Sequence, residues 1–190
     1  MYALGTPDIN IQEGFIILRT ENDSLSVQMA RIAVELMGVV KKRRNSLSLT
    51  NTGKKLLKDN STLLCNMITI LFTKFNIAYF DFYSSNNIGL VATGYSLFLL
   101  DRYGMKELKD TFYSDKYFKT FPQLLEEVEE RYSSQEEMAK NCYSARVFEI
   151  LFNHLGLVTI KEMNKYTPEN TKLIRRTTLF ETLFTFKPTN

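Results

Sequence analysis

Residues 37–57 decide the fold of this chain; they read MGVVKKRRNSLSLTNTGKKLL. Gly38 suits the left-handed backbone position at which many helices end. The basic run that follows leads into a turn over residues 43–46, where Asn45 is a typical turn residue. Thr50 is a typical N-cap for a following helix. The stretch therefore predicts the end of one helix, a short β-hairpin and the start of a second helix.

The arms of this hairpin are short and apolar. Val39 and Val40 form the first arm, and Leu47 and Leu49 form the second. Because the two leucines alternate with serines, we expect one buried face and one solvated face. In the helix after the hairpin, three lysines are expected to face outward: Lys54, Lys55 and Lys58.

Helical patterns flank the hairpin on both sides. Apolar residues at the 3.6-residue period predict a helix that is capped by Ser24 or Ser26 and ends near Met37. In the helix after the hairpin, Leu56 and Leu57 are expected to face inward. The first 23 residues are harder to interpret, because their apolar run fits a short strand or part of a helix.

A weaker copy of the pattern lies at the end of the chain. It consists of two pieces: LGLVTI at residues 155–160 and LIRRTTLF at residues 173–180. The copies align with Gly38 on Gly156 and Thr50 on Thr177, and the second has a longer, irregular loop. A repeat of architecture explains this match, and chance similarity between two helix–hairpin–helix units is the alternative.

Between the two copies the sequence is mainly helical. Helices are expected over five stretches: residues 61–75, 90–103, 114–121, 122–132 and 133–155. In the last helix of the chain, four residues are expected to face inward: Leu179, Phe180, Leu183 and Phe184. The predicted fold is therefore mainly α with two small β-hairpins, an α+β fold.

The front hairpin resembles the wing of a known class of proteins. Residues 47–57 are similar to the LTxxG wing signature of many winged-helix regulators. This resemblance implies winged-helix-like units at both ends of a helical core. A complete winged helix has two further helices ahead of the helix that leads into the wing. The first unit is therefore expected to be incomplete or to borrow later helices.

A longer resemblance covers about residues 25–186. It is carried by FNIAYFD at 75–81, LLDRYG at 99–104, FY at 112–113 through FPQLLE at 121–126, and RVF at 146–148 through GLV at 156–158. These stretches are similar to the C-terminal region of the uncharacterised plasmid ORF-3-like proteins, also labelled transposon passenger proteins. Longer members of that family carry a separate N-terminal domain ahead of this region. The resemblance implies a bacterial-type architecture and little about function.

The capping and stop signals divide the chain into four expected segments. They are residues 1–24 of uncertain structure, a winged-helix-like unit with a basic wing at 25–60, a helical core at 61–132 and a second winged-helix-like unit at 133–190. We expect these segments to pack as one compact domain.

Charge is unevenly distributed along the chain. The net charge is +3, yet residues 41–58 hold seven basic residues and no acid. The remaining 17 basic and 21 acidic residues leave the rest of the chain at −4. The basic residues predicted to contact phosphates are Lys41, Lys42, Arg43, Arg44, Lys54, Lys55 and Lys58. In the preceding helix, Gln28 and Arg31 are the candidate base-reading residues.

These features favour a cytoplasmic, non-enzymatic DNA-binding accessory or regulatory protein whose partner is double-stranded DNA. The alternative is a protein–protein interaction or homodimerisation module that binds no nucleic acid. Residues 126–137 are rich in glutamate and are interpreted as a solvated helical face. A basic partner protein, or the basic patch of a second copy, is the other interpretation of that acidic segment.

The sequence predicts no catalytic site, no metal site and no cofactor. The lone histidine, His154, lies near a helix end and is interpreted as structural. The two cysteines, Cys65 and Cys142, are expected to be reduced core thiols. Asp81 and Asp101 are interpreted as caps or surface charges rather than as an acid–base pair. Nucleotide-binding and metalloprotease motifs do not occur in the sequence.

Two aromatic or apolar stretches are assigned to the core. The loop at residues 79–83 could stack on bases, but packing in the core is the favoured interpretation. Residues 61–80 are the most apolar stretch, yet they contain several polar side chains that a membrane span would exclude. We therefore expect a buried helix there and no membrane partner.

Overall fold

The computed structural model describes residues 14, 17, 19–44, 46–131, 133–163 and 171–185. The chain divides into two compact units, Met1–Asn76 and Ile77–Asn190. Most of the predicted N-terminal segment lies outside the described residues. So do Asn45 at the first turn and most of the predicted irregular loop of the second wing.

The first unit contains helices and one hairpin. A 3₁₀-helix at Glu21–Asp23 is followed by α1 (Leu25–Leu36), β1 (Val40–Arg43), β2 (Ser46–Leu49), α2 (Asn51–Leu56) and α3 (Asn60–Thr73). Ser24 caps α1, because its hydroxyl accepts a hydrogen bond from the Val27 amide at 3.4 Å. Asp59 caps α3 in the same way. The core of this unit is small and includes Met29, Ala33, Val39, Ile68 and Leu71.

The second unit is larger and contains a three-stranded antiparallel sheet. Its order is a 3₁₀-helix at Ile77–Phe80, α4 (Thr93–Tyr103), β3 (Leu108–Lys109), α5 (Asp110–Thr120), a 3₁₀-helix at Pro122–Glu127, α6 (Gln135–Tyr143), a π-helix at Ser144–Asn153, β4 (Val158–Met163), β5 (Thr171–Arg176) and α7 (Thr178–Leu183). The strands lie in the order β3-β5-β4. The predicted mainly α-helical α+β fold with small antiparallel sheets is confirmed.

Aromatic rings fill the centre of the second unit. Tyr113, Tyr117, Tyr143 and Phe148 are fully buried. The rings of Tyr117 and Tyr143 have centroids 4.5 Å apart, and Tyr113 packs edge-on against Phe148 at 5.2 Å. Each such pair adds about 0.5–1.5 kcal/mol beyond the burial of its apolar area. This cluster holds α5 against the helix that runs from α6 into the π-helix.

Four hydrogen bonds define where the first hairpin begins and ends. At the end of α1, the Val39 amide donates to the Val34 carbonyl at 3.1 Å and the Gly38 amide donates to the Glu35 carbonyl at 2.9 Å. Gly38 has a φ of +68°, as this helix-ending Schellman motif requires. At the other end of the hairpin, the Thr50 hydroxyl donates to the Gly38 carbonyl at 2.7 Å and the Thr50 amide donates to the Val39 carbonyl at 3.0 Å.

The second hairpin repeats this pattern bond for bond. The Leu157 amide donates to the Phe152 carbonyl at 2.8 Å, the Gly156 amide donates to the Asn153 carbonyl at 2.9 Å, and Gly156 has a φ of +69°. The Thr177 hydroxyl donates to the Gly156 carbonyl at 2.7 Å, and its amide donates to the Leu157 carbonyl at 3.0 Å. The predicted alignment of Gly38 with Gly156 and of Thr50 with Thr177 is therefore confirmed in local geometry.

Several side chains predicted to be buried are exposed. On β2, Leu47 and Leu49 are 48% and 42% exposed, so the prediction of a buried hairpin face is wrong. Alternation in sequence gives a strand two faces, but a two-stranded hairpin lacks a neighbouring layer of its own to cover either one. The same correction applies to a further set of exposed residues: Leu57, Leu179, Cys65, Tyr79 and Phe82.

Two features of the second unit differ from the predicted elements. The expected helix at residues 122–132 is a 3₁₀-helix that ends at Glu127, and Pro122 occupies its first turn. The helix expected to run from residue 133 to 155 starts at Gln135 after a Ser134 cap and becomes π-helical from Ser144. The wider π-helical turn changes which residues share a face, and the 3.6-residue period of the sequence does not signal it.

Candidate functional site

The strands of the front hairpin separate its residues into two faces. Lys41 lies opposite Ser48 and Arg43 lies opposite Ser46, whereas Lys42 lies opposite Leu47. Since side chains alternate between faces along a strand and cross-strand partners share a face, the first four residues lie on one side. The other side carries Val40, Lys42, Leu47 and Leu49. We call the first side the polar face and the second side the apolar face.

The basic residues predicted to contact phosphates come together around this hairpin and the helix after it. We call residues 40–58 the basic hairpin. All seven basic side chains in it are exposed: Lys41, Lys42, Arg43, Arg44, Lys54, Lys55 and Lys58. None of them forms an ion pair with another described residue. Their charges therefore remain uncompensated by the part of the chain that the structure describes.

The junction between the hairpin and α2 is tight. The Thr50 hydroxyl accepts a hydrogen bond from the Gly53 amide at 3.0 Å and so caps α2. Gly53 is buried, and a Cβ added there would overlap the Val39 carbonyl oxygen and lie 2.9 Å from the carbonyl carbon. The glycine of the Leu-Thr-x-x-Gly sequence therefore allows α2 to approach the start of β1. This contact fixes the lysines of α2 relative to the basic strand.

The turn at the tip of the hairpin also has a constrained backbone. Arg44 has a φ of +49°, which is uncommon for a residue other than glycine. With Arg43 paired to Ser46, the turn has two central residues, the length at which positive φ values match the twist of the strands. The tip therefore presents Arg44 at the end of the hairpin, where its side chain is exposed.

The basic hairpin is bordered by acid on its C-terminal side. Asp59 follows Lys58 and accepts hydrogen bonds from the hydroxyl and the amide of Thr62 at 2.6 Å and 3.1 Å. These bonds lower the pKa of Asp59, so its carboxylate remains ionised at neutral pH. The acid-free run of basic residues therefore ends at Asp59, the N-cap of α3.

The two candidate base-reading residues are engaged within the first unit. The guanidinium of Arg31 pairs with Glu21 and, at 3.4 Å, with Glu35. The side-chain amide of Gln28 donates to the backbone carbonyl of Asn22 at 2.8 Å. Both side chains would have to leave these partners before they could read a base edge. Although Gln28 and Arg31 precede the hairpin closely in sequence, the structure shows both side chains bonded to residues of the first unit.

The second unit contains a buried ion pair that the sequence analysis did not find. Arg146 of the π-helix is fully buried, and its Nε and Nη2 donate to the two carboxylate oxygens of Asp81 at 2.5 and 2.8 Å. The same guanidinium donates to the carbonyls of Ser85 and Ile88 at 2.8 and 3.0 Å. Burial, the largest single influence, lowers the pKa of Arg146, but the hydrogen bonds to Asp81 and the negative charges of neighbouring acidic groups together make the net pKa shift upward. Each guanidinium nitrogen therefore has a hydrogen-bond acceptor, and the cluster fixes the loop at residues 81–88 to the π-helix.

The sequence interprets Asp81 and Asp101 as caps or surface charges; for Asp81 the surface charge is wrong, whereas its Oδ1 does accept a local hydrogen bond from the Tyr83 amide at 3.1 Å. The Asp81 side chain is 9% exposed and forms the bidentate pair with Arg146. Asp101 pairs with Arg176 at 3.1 Å. The Asp81–Arg146 pair could have been found from one signal in the sequence. Arg146 is a lone arginine in an otherwise apolar stretch of a helix, and such a charge needs a buried partner.

Two further polar side chains of the second unit, His154 and Glu127, have structural contacts. Nδ1 of His154 lies 2.9 Å from the carbonyl oxygen of Glu149. Glu127 accepts hydrogen bonds from Ser85 and Asn87 at 2.7 and 2.8 Å.

In the described part of the chain, His, Cys, Asp and Glu side chains do not form the groups of three or more that a metal site would require. Also within that part, every helix is too short or too polar to span a lipid bilayer.

Comparisons with other proteins do not extend this picture. No protein-family model matches the chain, and no curated protein or solved structure shows significant similarity to it.

Proposed function

We propose that this chain is a cytoplasmic, non-enzymatic accessory or regulatory protein that binds double-stranded DNA through the basic hairpin. One observation carries the proposal: seven exposed cations lie within 18 residues that contain no acid, and they form no ion pair with another described residue. Uncompensated charge of this density repels itself, and a polyanion relieves that repulsion. Duplex DNA supplies closely spaced phosphates that fit several cations at once.

Counterion release gives the proposal a measurable magnitude. Each phosphate that a lysine or arginine neutralises contributes about −0.9 to the slope of log affinity against log salt. A hairpin that engages about four phosphates has a slope of roughly −3 to −4. Raising the salt concentration from about 50 to 200 mM then weakens binding by roughly 150-fold.

A relation to winged-helix proteins is part of the same proposal. In the second unit, α4, the short strand β3, α5, a 3₁₀-helix and the continuous α6–π-helix precede a hairpin, and β3 pairs with the returning strand β5. The helix–glycine–hairpin–threonine junction occurs in both units. These features support winged-helix-like units and agree with the resemblance to plasmid ORF-3-like proteins. That resemblance adds a bacterial-type architecture to the proposal, and the accessory or regulatory role rests on the charge of the basic hairpin.

The proposal is tested by fluorescence anisotropy with a labelled random-sequence duplex over a series of salt concentrations. The wild-type chain is compared with a variant in which Lys41, Lys42, Arg43 and Arg44 are all replaced by serine. The account predicts salt-dependent binding that the variant loses. Absence of binding at low salt, or equal binding by the variant, would remove the DNA-binding proposal.

A second candidate function is a protein-interaction or dimerisation module. The observation that favours it is the apolar face of the hairpin, where Leu47 and Leu49 are exposed next to Val40. Sedimentation equilibrium of the wild type and of a variant with both leucines replaced by serine tests this candidate. A dimer that the variant cannot form would support it, and a monomer at all concentrations would contradict self-association.

A further inference from the structure

We infer that DNA lies against one face of the hairpin, the polar face formed by Lys41, Arg43, Ser46 and Ser48, and that this contact reads the phosphate backbone rather than the bases. The inference rests on the proposed function and specifies how it is carried out. It concerns which cations touch phosphate and what kind of DNA is recognised. Two independent observations lead to it: the register of the hairpin and the engagement of the polar side chains of α1.

The polar face has the composition of a phosphate-binding surface. Lys41 pairs across the strands with Ser48, and Arg43 pairs with Ser46. All four side chains are exposed. Directly opposed residues have Cβ atoms about 5 Å apart, so each cation has a hydroxyl beside it. A cation and a hydroxyl at this spacing can donate to one phosphate group, and serine hydroxyls commonly make such contacts.

The apolar face has the opposite character. Lys42 lies opposite Leu47, and Val40 lies opposite Leu49. A phosphate brought against this face would lose its hydration over leucine side chains that offer no hydrogen-bond donor. Lys42 therefore adds to the overall positive field but makes no direct phosphate contact. Neighbouring lysines, 41 and 42, thus have the same charge and different roles.

The helix that leads into the hairpin is unsuited to base reading. Its two candidate readers, Gln28 and Arg31, already donate to partners in the same unit. The partners of Arg31 are two glutamates, Glu21 and Glu35, which add negative charge around α1. Inserting this helix into a groove would bring those carboxylates towards phosphates. Affinity is consequently expected to depend on phosphate spacing and salt, with little dependence on base sequence.

The experiment uses the full chain and matched single variants: Lys41→Ser and Arg43→Ser on the polar face, Lys42→Ser on the apolar face. Each removes one positive charge from an exposed strand position. Anisotropy is measured over a salt series with two duplexes of equal length, one rich in A·T and one rich in G·C pairs. Circular dichroism confirms that the variants keep the wild-type helix content.

The inference predicts a difference between adjacent residues. Lys41→Ser and Arg43→Ser should each make the salt slope shallower by about 0.9 and weaken binding about eight-fold at about 0.1 M salt. Lys42→Ser should leave the slope unchanged. The two duplexes should bind the wild type within about three-fold of each other, well below the discrimination of about 10³ or more that specific proteins show. Arg31→Ala should bind as tightly as the wild type, because the guanidinium is held by Glu21 and Glu35 rather than offered to DNA.

Contrary results separate this inference from the proposed function. If Lys42→Ser changes the slope as much as Lys41→Ser, the face assignment is wrong while DNA binding stands. If one duplex is strongly preferred, or if Arg31→Ala loses affinity, backbone-only recognition is wrong while DNA binding again stands. If the wild type does not bind either duplex at low salt, the proposed function itself is wrong.

Discussion

Replacing Gly53 with alanine should destabilise the first unit, because it forces apart the hairpin and the helix that follows it. Gly53 is buried in α2, with its amide bonded to the Thr50 hydroxyl. An added Cβ would overlap the Val39 carbonyl oxygen and would lie 2.9 Å from the carbonyl carbon and 3.1 Å from the Cα. These are backbone atoms, so no side-chain rotation can relieve the clash.

The size of the destabilisation by Gly53→Ala follows from the displacement of α2 that the added Cβ requires. Restoring ordinary contact distances requires α2 and the start of β1 to separate by roughly 1 Å. Overpacking of this kind costs about 1–3 kcal/mol. The displacement also weakens the bonds from the Thr50 hydroxyl and amide to the Gly38 and Val39 carbonyls, each worth about 1 kcal/mol. The helix propensity of alanine returns up to about 1 kcal/mol, so the net loss is about 2–3 kcal/mol.

Hydrogen exchange measured by mass spectrometry on peptides from residues 38–57 provides the assay. A loss of 2–3 kcal/mol raises the exchange rate of protected amides by roughly 30- to 150-fold. Gly94→Ala is the matched control, because Gly94 also lies in a helix and an added Cβ there meets nothing within 4 Å. That variant should slow exchange in α4, with a gain of up to about 1 kcal/mol. Unchanged or slower exchange around residue 53 in Gly53→Ala would refute the close approach.

Three further predictions concern buried groups of the second unit and, in the last of them, the exposed Cys65 of the first unit. Arg146→Met should lower the free energy of unfolding of the second unit in urea by about 3–5 kcal/mol, because Asp81 would remain buried without its partner. Adding Asp81→Leu should recover part of that loss. A double variant as unstable as Arg146→Met alone would contradict the pairing argument. Burial raises the pKa of the Cys142 thiol to about 12, so the stability this thiol contributes should be complete below about pH 9 and lost as the pH rises towards 12. At pH 8, iodoacetamide should alkylate the exposed Cys65 of the folded chain and spare Cys142, and mass spectrometry showing equal labelling would contradict this.

Local signals in the sequence predicted the local structure well. Gly38 and Gly156 take the positive φ values expected of helix-ending residues, and Thr50 and Thr177 cap the helices that follow the hairpins. These outcomes depend on interactions within a few residues, which the sequence records directly. The hairpin position and the outward direction of Lys54, Lys55 and Lys58 follow from the same short-range rules.

Features that depend on distant residues could not be predicted in the same way. Strand β3 has two residues and exists because Leu108 pairs with Ile174, so no periodic pattern announces it. The Arg146–Asp81 pair joins residues 65 positions apart. Burial of a strand face requires a second layer, and the alternation around Leu47 carries no information about whether that layer exists.

The candidate site was predicted in its charge but not in its geometry. The seven basic residues are exposed as expected. The pairing of Lys41 with Ser48 and of Arg43 with Ser46 depends on the register, which the turn length determines. The intramolecular bonds of Gln28 and Arg31 depend on how the 3₁₀-helix at Glu21–Asp23 folds against α1. The alternation predicted a solvated serine face, but the pairing of these serines with Lys41 and Arg43 and the engagement of both candidate base readers emerge only from the structure.

The most direct test of the account is an NMR titration of the ¹⁵N-labelled chain with a short random-sequence duplex at low salt. The account predicts that the largest amide shift changes occur at Lys41, Arg43, Ser46 and Ser48 and that added salt reverses them. Changes concentrated instead in α1 or in the second unit, or no changes at all, would contradict binding through the basic hairpin.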